Sequence, residues 1–326
     1  MRQVDRILYI RTDRMGDVLM NLPALHQLRQ NFPKAWLTLL ADRSVAAFFK
    51  GIPDLDEVME VDPDELKRGG ARRSLKKAVR AARFDMAVIS NPGKSSHWLA
   101  FACGIPARLG WRRKWPFLLT RSLPDTKDCG ARHEIDANLA LVSLVCGKKW
   151  DGTLDLGRDE KAALEIKKIL DEAVGEGSVI AIHAGSSNPL KKWPLENFER
   201  LCRTIRDQKK YQLVFIGAEE EFAHAQTILR YLGGGGMNLC GKTSWRQLAS
   251  FFADERVKTM VSSDSGPVHV AWMSGKPVVA LYAKDCPGSG PARWGPRNDG
   301  SEIIYKPMRE ISPEEVLEKL KKVLGP

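Results

Sequence analysis

Short β-rich runs alternate with helical stretches along this chain, and after one break the same alternation begins again. That rhythm constrains the fold more than any single motif. Parallel strands cannot be joined by a tight turn, so each pair needs a crossover long enough to hold a helix. In the first half, Arg6 to Arg11 reads as a strand. Val18 to Gln30 reads as a helix, with Leu19, Leu22, Leu25 and Leu28 near helical spacing and a stop at Pro33. Trp36 to Ala41, Val58 to Val61 and Met86 to Ser90 read as further strands, with a basic helix over Arg72 to Arg83 and another over Ile135 to Val145.

The break is polar and irregular, from Asp151 to Asp159, with Gly152 and Gly157 in it. Beyond a helix over Lys161 to Ala173, strands are expected at Ser178 to His183, Gln212 to Gly217, Thr259 to Ser263 and Pro277 to Ala283. Helices are expected between them at Leu195 to Asp207, Glu219 to Leu232, Trp245 to Ala253 and Val268 to Met273. Pro313 to Leu324 closes the chain as a helix capped by Ser312, with Glu315 three residues on. The 326 residues therefore divide into two α/β halves, residues 1–157 and 158–326. Open parallel sheets bind ligands at the carboxyl ends of their strands. Two such halves are expected to face each other across a cleft lined by strand-end loops, and chemistry is sought in those loops.

Composition narrows the partners. Lysine and arginine number 51 against 40 acids, a formal charge of +11. That excess favours an anionic partner. The cations cluster: Lys67, Arg68, Arg72, Arg73, Lys76, Lys77, Arg80 and Arg83 in one stretch, Arg108, Arg112, Arg113 and Lys114 in another, the latter interleaved with Trp111 and Trp115. No helix-turn-helix, zinc-finger or RNA-binding signature accompanies them, so nucleic acid is not the expected partner. The six cysteines are scattered, without zinc or redox spacing, and read as reduced thiols. The histidines show no metal-ligand spacing either, so neither a metal nor a cofactor is expected. The longest apolar stretches, such as Trp98 to Ile105 and Val278 to Ala283, are too short to span a bilayer. The first residues lack a secretory pattern, which points to the cytoplasm.

Three strand-end loops could carry chemistry. In Ser262-Ser263-Asp264-Ser265-Gly266-Pro267-Val268-His269 a buried strand gives way to a helix that Pro267 would start. The helix N-terminus, with Gly266 to admit a close approach, suits a diphosphate. A plain helix cap by Asp264 or Ser265 would explain one polar residue, not the whole run with His269 on its first turn. The second loop, Ala184 to Pro194, is rich in small and hydroxyl residues, Ser187 among them, and then carries Lys191 and Lys192. Lys192, mounted on Trp193-Pro194, is the favoured cation for a leaving diphosphate. The third, Arg11-Thr12-Asp13-Arg14-Met15-Gly16-Asp17, offers Asp17 at a helix start. It reads equally as an N-cap or as a general base, and Asp13 competes for the latter role. Gly233 to Gly236 follows a helix and is no dinucleotide fingerprint, and neither a Walker loop nor a nucleophile elbow occurs.

At these residues the chain resembles glycosyltransferase family 9, the ADP-heptose:lipopolysaccharide heptosyltransferases. The resemblance rests on Met15-Gly16-Asp17-Val18-Leu19 with Leu22-Pro23-Ala24-Leu25, and on Lys192-Trp193-Pro194-Leu195-Glu196-Asn197-Phe198. It continues through Phe215 to Glu221, Asp264-Ser265-Gly266-Pro267-Val268-His269 and Gly275 to Leu281, in the family's order and over almost the whole chain. It implies a GT-B fold of two Rossmann-like domains, the first binding the acceptor and the second the nucleotide sugar. It implies metal-independent, inverting transfer of a heptose from ADP-heptose to the lipopolysaccharide inner core. By the same resemblance Asp17 matches the catalytic base and Lys192 the lysine near the donor phosphates. Asp264, Ser265 and Gly266 match the donor-binding turn, and His269 the histidine after it. Glu221 is similar in position to an acid on the nucleotide ribose, and Thr243 falls where the family contacts the adenosine. Asp13-Arg14 and Met20-Asn21 depart from the commoner pairs, on the acceptor side.

Arg72, Arg73, Arg112 and Arg113 are the expected grip on a phosphorylated lipid A–Kdo acceptor at the cytoplasmic face of the inner membrane, with peripheral membrane contact. The alternatives are a GT-B transferase of another nucleotide sugar, such as an N-acetylglucosaminyl donor, and a non-catalytic nucleotide-sugar-binding protein.

Overall fold

The computed structural model describes residues 3–64, 69–126, 130, 132–234 and 236–325, without the side chains of 69–72. Lys67, Arg68, Cys129, Gly235 and the Arg72 side chain thus lie outside the described part. The chain forms two compact units that meet at Gly157 and Arg158.

The N-terminal unit runs β1 (Arg6–Ile10), α1 (Met15–Leu19), α2 (Leu22–Asn31), β2 (Trp36–Asp42), α3 (Arg43–Phe49) and β3 (Glu57–Val61). It continues with α4 (Gly69–Ala81), β4 (Met86–Ile89), α5 (Lys94–Ala102), β5 (Ala107–Trp111), β6 (Arg121–Leu123) and α6 (Glu134–Val142). The sheet order is β3-β2-β1-β4-β5-β6, parallel at every pairing. The C-terminal unit holds α7 (Glu160–Ala173), β7 (Ser178–His183), α8 (Leu195–Asp207), β8 (Tyr211–Phe215), α9 (Phe222–Tyr231) and β9 (Gly236–Asn238). Then come α10 (Trp245–Ala253), β10 (Val257–Ser263), α11 (Gly266–Met273), β11 (Val278–Ala283), α12 (Pro291–Trp294), β12 (Glu302–Lys306) and α13 (Pro313–Leu324). Its order is β12-β11-β10-β7-β8-β9, again parallel throughout.

Both sheets have the doubly wound Rossmann-like topology: the first strand of each unit lies beside its fourth, β1 beside β4 and β7 beside β10. The strand order reverses there, and loops leaving the two strands go to opposite sides, which opens a crevice at their carboxyl ends. The inner strands are largely apolar and buried over most of their length, as a sheet covered on both faces requires. Leu8, Ile10, Ala87 and Ile89 pack under Leu99 and Ile105 in the first unit, and Ile180, Ile182, Val261 and Leu281 under Phe198, Leu201 and Val316 in the second.

The expected helix over Val18 to Gln30 is in fact two, α1 and α2. Pro23, on the first turn of α2, has no N–H to give Leu19 and its ring would meet that carbonyl, so the leucine periodicity cannot run through. Buried Asn21 fills the break: its Nδ2 donates to the Asp17 carbonyl at 2.7 Å, and its Oδ1 accepts from the Tyr9 hydroxyl at 2.7 Å. Downstream, Gly266 rather than Pro267 is the first residue of α11. The expected helix from Glu219 starts as a 3-10 turn over Glu219–Glu221 before α9.

Candidate active site

In the N-terminal unit the crevice residues gather on one arginine. β1 ends at Ile10, and Arg11, next in line, is buried with its guanidinium surrounded by carboxylates. Its NH2 lies 2.9 Å from Asp17 Oδ1, its NH1 3.1 Å from Glu134 Oε1, and its Nε 2.8 Å from Asp13 Oδ2. NH1 also donates to the carbonyl of Ser90, the residue after β4. Glu134 is wholly buried on the first turn of α6. Burial works against the charge of Arg11, but Glu134, Asp13 and Asp17 outweigh it and hold the guanidinium protonated more firmly than usual.

One cation among three carboxylates leaves the group with surplus negative charge, and removal from water penalises that surplus. Asp17 shows the effect: burial, helped by Asp13 and Glu134, pushes its carboxyl above the usual range, although Arg11 pulls the other way. The N-cap of α1 is Arg14, and Asp17 sits in the first turn with its carboxylate on Arg11. The geometry is thus that of a held, half-buried carboxylate rather than of a cap. Asp13 is reached by both Arg11 and the Asn91 side chain, the latter at 3.4 Å.

The C-terminal unit repeats the plan with different side chains. β7 ends on buried His183, which pairs across the sheet with Ser262 of β10. His183 Nδ1 lies 2.9 Å from the Ser262 hydroxyl and 3.2 Å from that of Ser265, and its Nε2 lies 3.2 Å from Glu221 Oε2. Glu221 Oε2 also accepts from the Ala218 N–H at 2.8 Å. Burial acts to raise the Glu221 carboxyl, but His183, the Ala218 amide and the charge of Lys192 prevail and hold it below the usual range. A Cβ on Gly185 would stand 1.3 Å from Glu221 Oε1, so the carboxylate fills space that only glycine leaves open.

Beside this network lies the turn between β10 and α11. Ser265 is the N-cap of α11, yet its side chain does not cap the helix, since its hydroxyl is taken by His183 and Ser262. The first-turn amides of a helix have no partner within it. Asp264 Oδ2 accepts from Lys191 Nζ at 2.6 Å and from the Ser289 hydroxyl at 2.9 Å. His269 Nε2 lies 3.9 Å from Asp264 Oδ1, while its Nδ1 accepts from Trp272 Nε1 at 3.3 Å. Neither Asp264 nor Ser265 thus serves as the plain cap that was the simplest alternative.

The lysine tied to this turn is Lys191. Lys192 stays exposed beside buried Trp193, whose Nε1 donates to the Ile311 carbonyl at 2.9 Å. Ser187 is exposed in the same loop, and half-buried Thr243 precedes Ser244, the N-cap of α10. The structure thus joins Glu221 to Ser265 through His183, and Asp264 to Lys191 beside His269. In the N-terminal unit Arg73 is exposed on α4, and Arg112 and Arg113 are exposed after β5, Arg113 being 3.3 Å from Asp125. Arg11, Glu134 and His183 were missed from sequence. Their common signal is a charged or polar residue where an apolar strand ends, or, for Glu134, at a helix start. Among the described residues no group of three or more His, Cys, Asp or Glu could hold a metal ion, and no helix is long and apolar enough to cross a membrane.

The chain is similar to lipopolysaccharide heptosyltransferase 2 of Escherichia coli (strain K12), 25% identical over 98% of this chain and 98% of that one. Among solved structures it is similar to a glycosyltransferase family 9 protein of Veillonella parvula DSM 2008, with a TM-score of 0.87 at 21% identity over 98% of this chain and 97% of that one. It is also similar to E. coli ADP-heptose LPS heptosyltransferase II, with a TM-score of 0.80 at 23% identity over 98% of each chain. These likenesses agree with the expected α/β, GT-B fold class. The model of glycosyltransferase family 9 (heptosyltransferase) matches residues 72–323, most of the chain, and the protein belongs to that family.

Proposed function

We propose that this glycosyltransferase moves a heptose from ADP-heptose to the inner core of lipopolysaccharide, by inverting displacement without a metal. The observation that carries the reading is the C-terminal turn: a helix whose N-cap side chain is turned away to His183, beside a buried aspartate paired with Lys191. Such a turn suits a diphosphate. Two of the relatives named above, both from E. coli, are heptosyltransferases, one of them an ADP-heptose enzyme, which supports the choice of donor.

In this mechanism Asp17 takes the proton of an acceptor hydroxyl as its oxygen attacks the anomeric carbon of the heptose. The bond from that carbon to the diphosphate oxygen breaks, and ADP leaves with the electron pair. A carboxylate with a raised pKa is better suited to receive the proton than an ordinary one. Arg11 fixes its position and stays protonated throughout. Lys192 and the first turn of α11, from Ser265 and Gly266, meet the charge that grows on the leaving diphosphate. Asp264 and His269 shape that turn, and Glu221, Thr243 and Ser187 contact the nucleotide. Arg72, Arg73, Arg112 and Arg113 hold a phosphorylated lipid A–Kdo acceptor, with the protein peripheral to the cytoplasmic face of the inner membrane.

The test is transfer in vitro. Purified protein, ADP-heptose and a lipid A–Kdo acceptor should yield an acceptor heavier by one heptose, read by mass spectrometry. An acceptor heavier by one N-acetylglucosamine when UDP-N-acetylglucosamine is supplied and unchanged when ADP-heptose is supplied, or thermal stabilisation by UDP and not by ADP, would sink the choice of donor.

A further inference from the structure

The loop after β5 carries more exposed aromatic surface than the transfer reaction uses. Its first six residues, Arg112-Arg113-Lys114-Trp115-Pro116-Phe117, are all exposed, Phe117 at 76% and Trp115 at 40%. The two rings lie 6.4 Å apart, and Lys94 Nζ stands 5.6 Å from the Trp115 ring. Phe101, 51% exposed, lies under the Arg108 guanidinium at 5.5 Å. Large apolar side chains left in water without a local partner in the core mark an interaction surface.

This loop is built rather than slack. Lys114 and Trp115 are consecutive non-glycine residues with positive φ, +48° and +66°, a conformation that costs energy and persists only when neighbours enforce it. One neighbour is His97, fully buried on α5, whose Nδ1–H donates to the Lys114 carbonyl at 2.9 Å. Burial pushes the His97 imidazole below its ordinary value, which keeps it a neutral donor. Leu118, buried just past the tip, bonds back from its N–H to the Trp115 carbonyl at 3.2 Å. The protein thus spends backbone strain to hold a tryptophan and a phenylalanine outward among cations.

We infer that the Trp115–Phe117 loop of the N-terminal unit is a wedge that inserts into the interfacial layer of an anionic lipid bilayer, with the surrounding lysines and arginines resting on lipid headgroups. Tryptophan and phenylalanine favour the headgroup–acyl boundary, and clustered cations are drawn to an anionic leaflet. Charge complementarity selects this occupant: the tip carries three cations and no acid, which does not suit a second copy of a protein with formal charge +11. The inference deepens the proposed reading, since a lipid-linked acceptor is presented at a membrane, but its test needs no turnover.

The experiment is co-sedimentation of the full chain with phosphatidylglycerol-rich vesicles and with pure phosphatidylcholine vesicles. The wild type should bind the former and bind the latter weakly. The double variant Trp115→Ser/Phe117→Ser should lose at least about tenfold in partition to the anionic vesicles. Because both side chains are exposed, it should keep the wild-type melting temperature and the wild-type thermal shift with ADP. Bromine-labelled lipid should quench the fluorescence of the wild type more than that of the single variant Trp115→Ser. Equal partition of wild type and double variant, failure of the wild type to bind anionic vesicles, or unchanged quenching in Trp115→Ser would each overturn the wedge. Loss of the ADP shift in the wild type would instead count against the proposed donor, and leave the vesicle result standing.

Discussion

Arg11 gives Asp17 one terminal nitrogen at 2.9 Å and commits the other to Glu134, a residue 123 positions further along the chain. The Asp17 carboxylate is therefore held by a cation that cannot follow it: Arg11 is anchored at its far side by a buried carboxylate and by the Ser90 carbonyl. Replacing Asp17 by Asn keeps the shape and removes the charge. Turnover should fall by roughly 10²- to 10⁴-fold, the usual contribution of a positioned base, with ADP affinity unchanged. Equal loss of both in a titration of ADP binding would mean that Asp17 has a structural task.

The same substitution has a consequence for stability. Asp17 has a folded pKa above its unfolded value of about 3.8. The native state then binds more protons than the unfolded one between those two values, so stability falls as pH rises through that window. At neutral pH ionised Asp17 is a cost, and Asp17→Asn should melt no lower than the wild type. For activity the sign is opposite: the rate should rise with pH along an acid limb set by a carboxyl above the ordinary range, and Asp17→Asn should lose that limb.

Adjacent lysines should separate cleanly. Lys191→Ala strips the cation from a buried aspartate and should cost up to about 3 kcal/mol, the low end for breaking a buried pair because Ser289 remains on Asp264. Lys192→Ala removes an exposed side chain and should change stability by no more than about 0.5 kcal/mol. If Lys192 meets the leaving diphosphate, kcat should still fall by roughly 10²- to 10³-fold. Denaturant melts and steady-state rates on the two variants decide which lysine does which work.

Gly185→Ala tests the pocket under Glu221. The new methyl would occupy the place of the carboxylate, which is the free end of a flexible side chain and can swing away. The fold should survive with a modest loss, while the His183–Glu221 pair is broken and ADP affinity drops. Retained ADP affinity in this variant would remove Glu221 from the nucleotide site.

Glu221→Gln offers a pH check with the reverse sign to Asp17. Its folded pKa is depressed, so its contribution to stability is fully present above the unfolded value near 4.5 and is lost as pH falls through the folded one. The wild type should therefore be the more stable at neutral pH, and its advantage over Glu221→Gln should shrink as the solution is acidified below pH 4.5.

Local chemistry made part of this molecule legible in sequence. Periodicity and glycine–proline punctuation exposed β7, α8, α10 and the Asp264-Ser265-Gly266-Pro267 turn, since all their determinants lie within a few residues. Strand β5 was hidden because Arg108 and Gly110 spoil its apolar run; Arg108 in fact folds back to donate to the Leu118 carbonyl. Edge strand β12, Glu302–Lys306, is short, has charged residues at both ends and buries only Ile304, so its local signal is weak. The split at Pro23 was visible in principle and was outvoted by the leucine spacing. Arg11 and Glu134 were beyond local reach. A buried ion pair between a strand end and a distant helix start leaves no spacing to read, and only the sheet order brings the two together.

Helix α11 begins without a side-chain cap, and such a cap is ordinarily worth about 0.5–2 kcal/mol. The hydroxyl that could have supplied it has been assigned to His183 instead. On the proposed reading, a diphosphate is the missing final piece of this secondary structure. Occupancy and folding are then linked quantities: saturating the turn should raise the melting temperature in proportion to the logarithm of ligand concentration, and a cap engineered at residue 265 should stabilise the empty protein while competing with its own substrate.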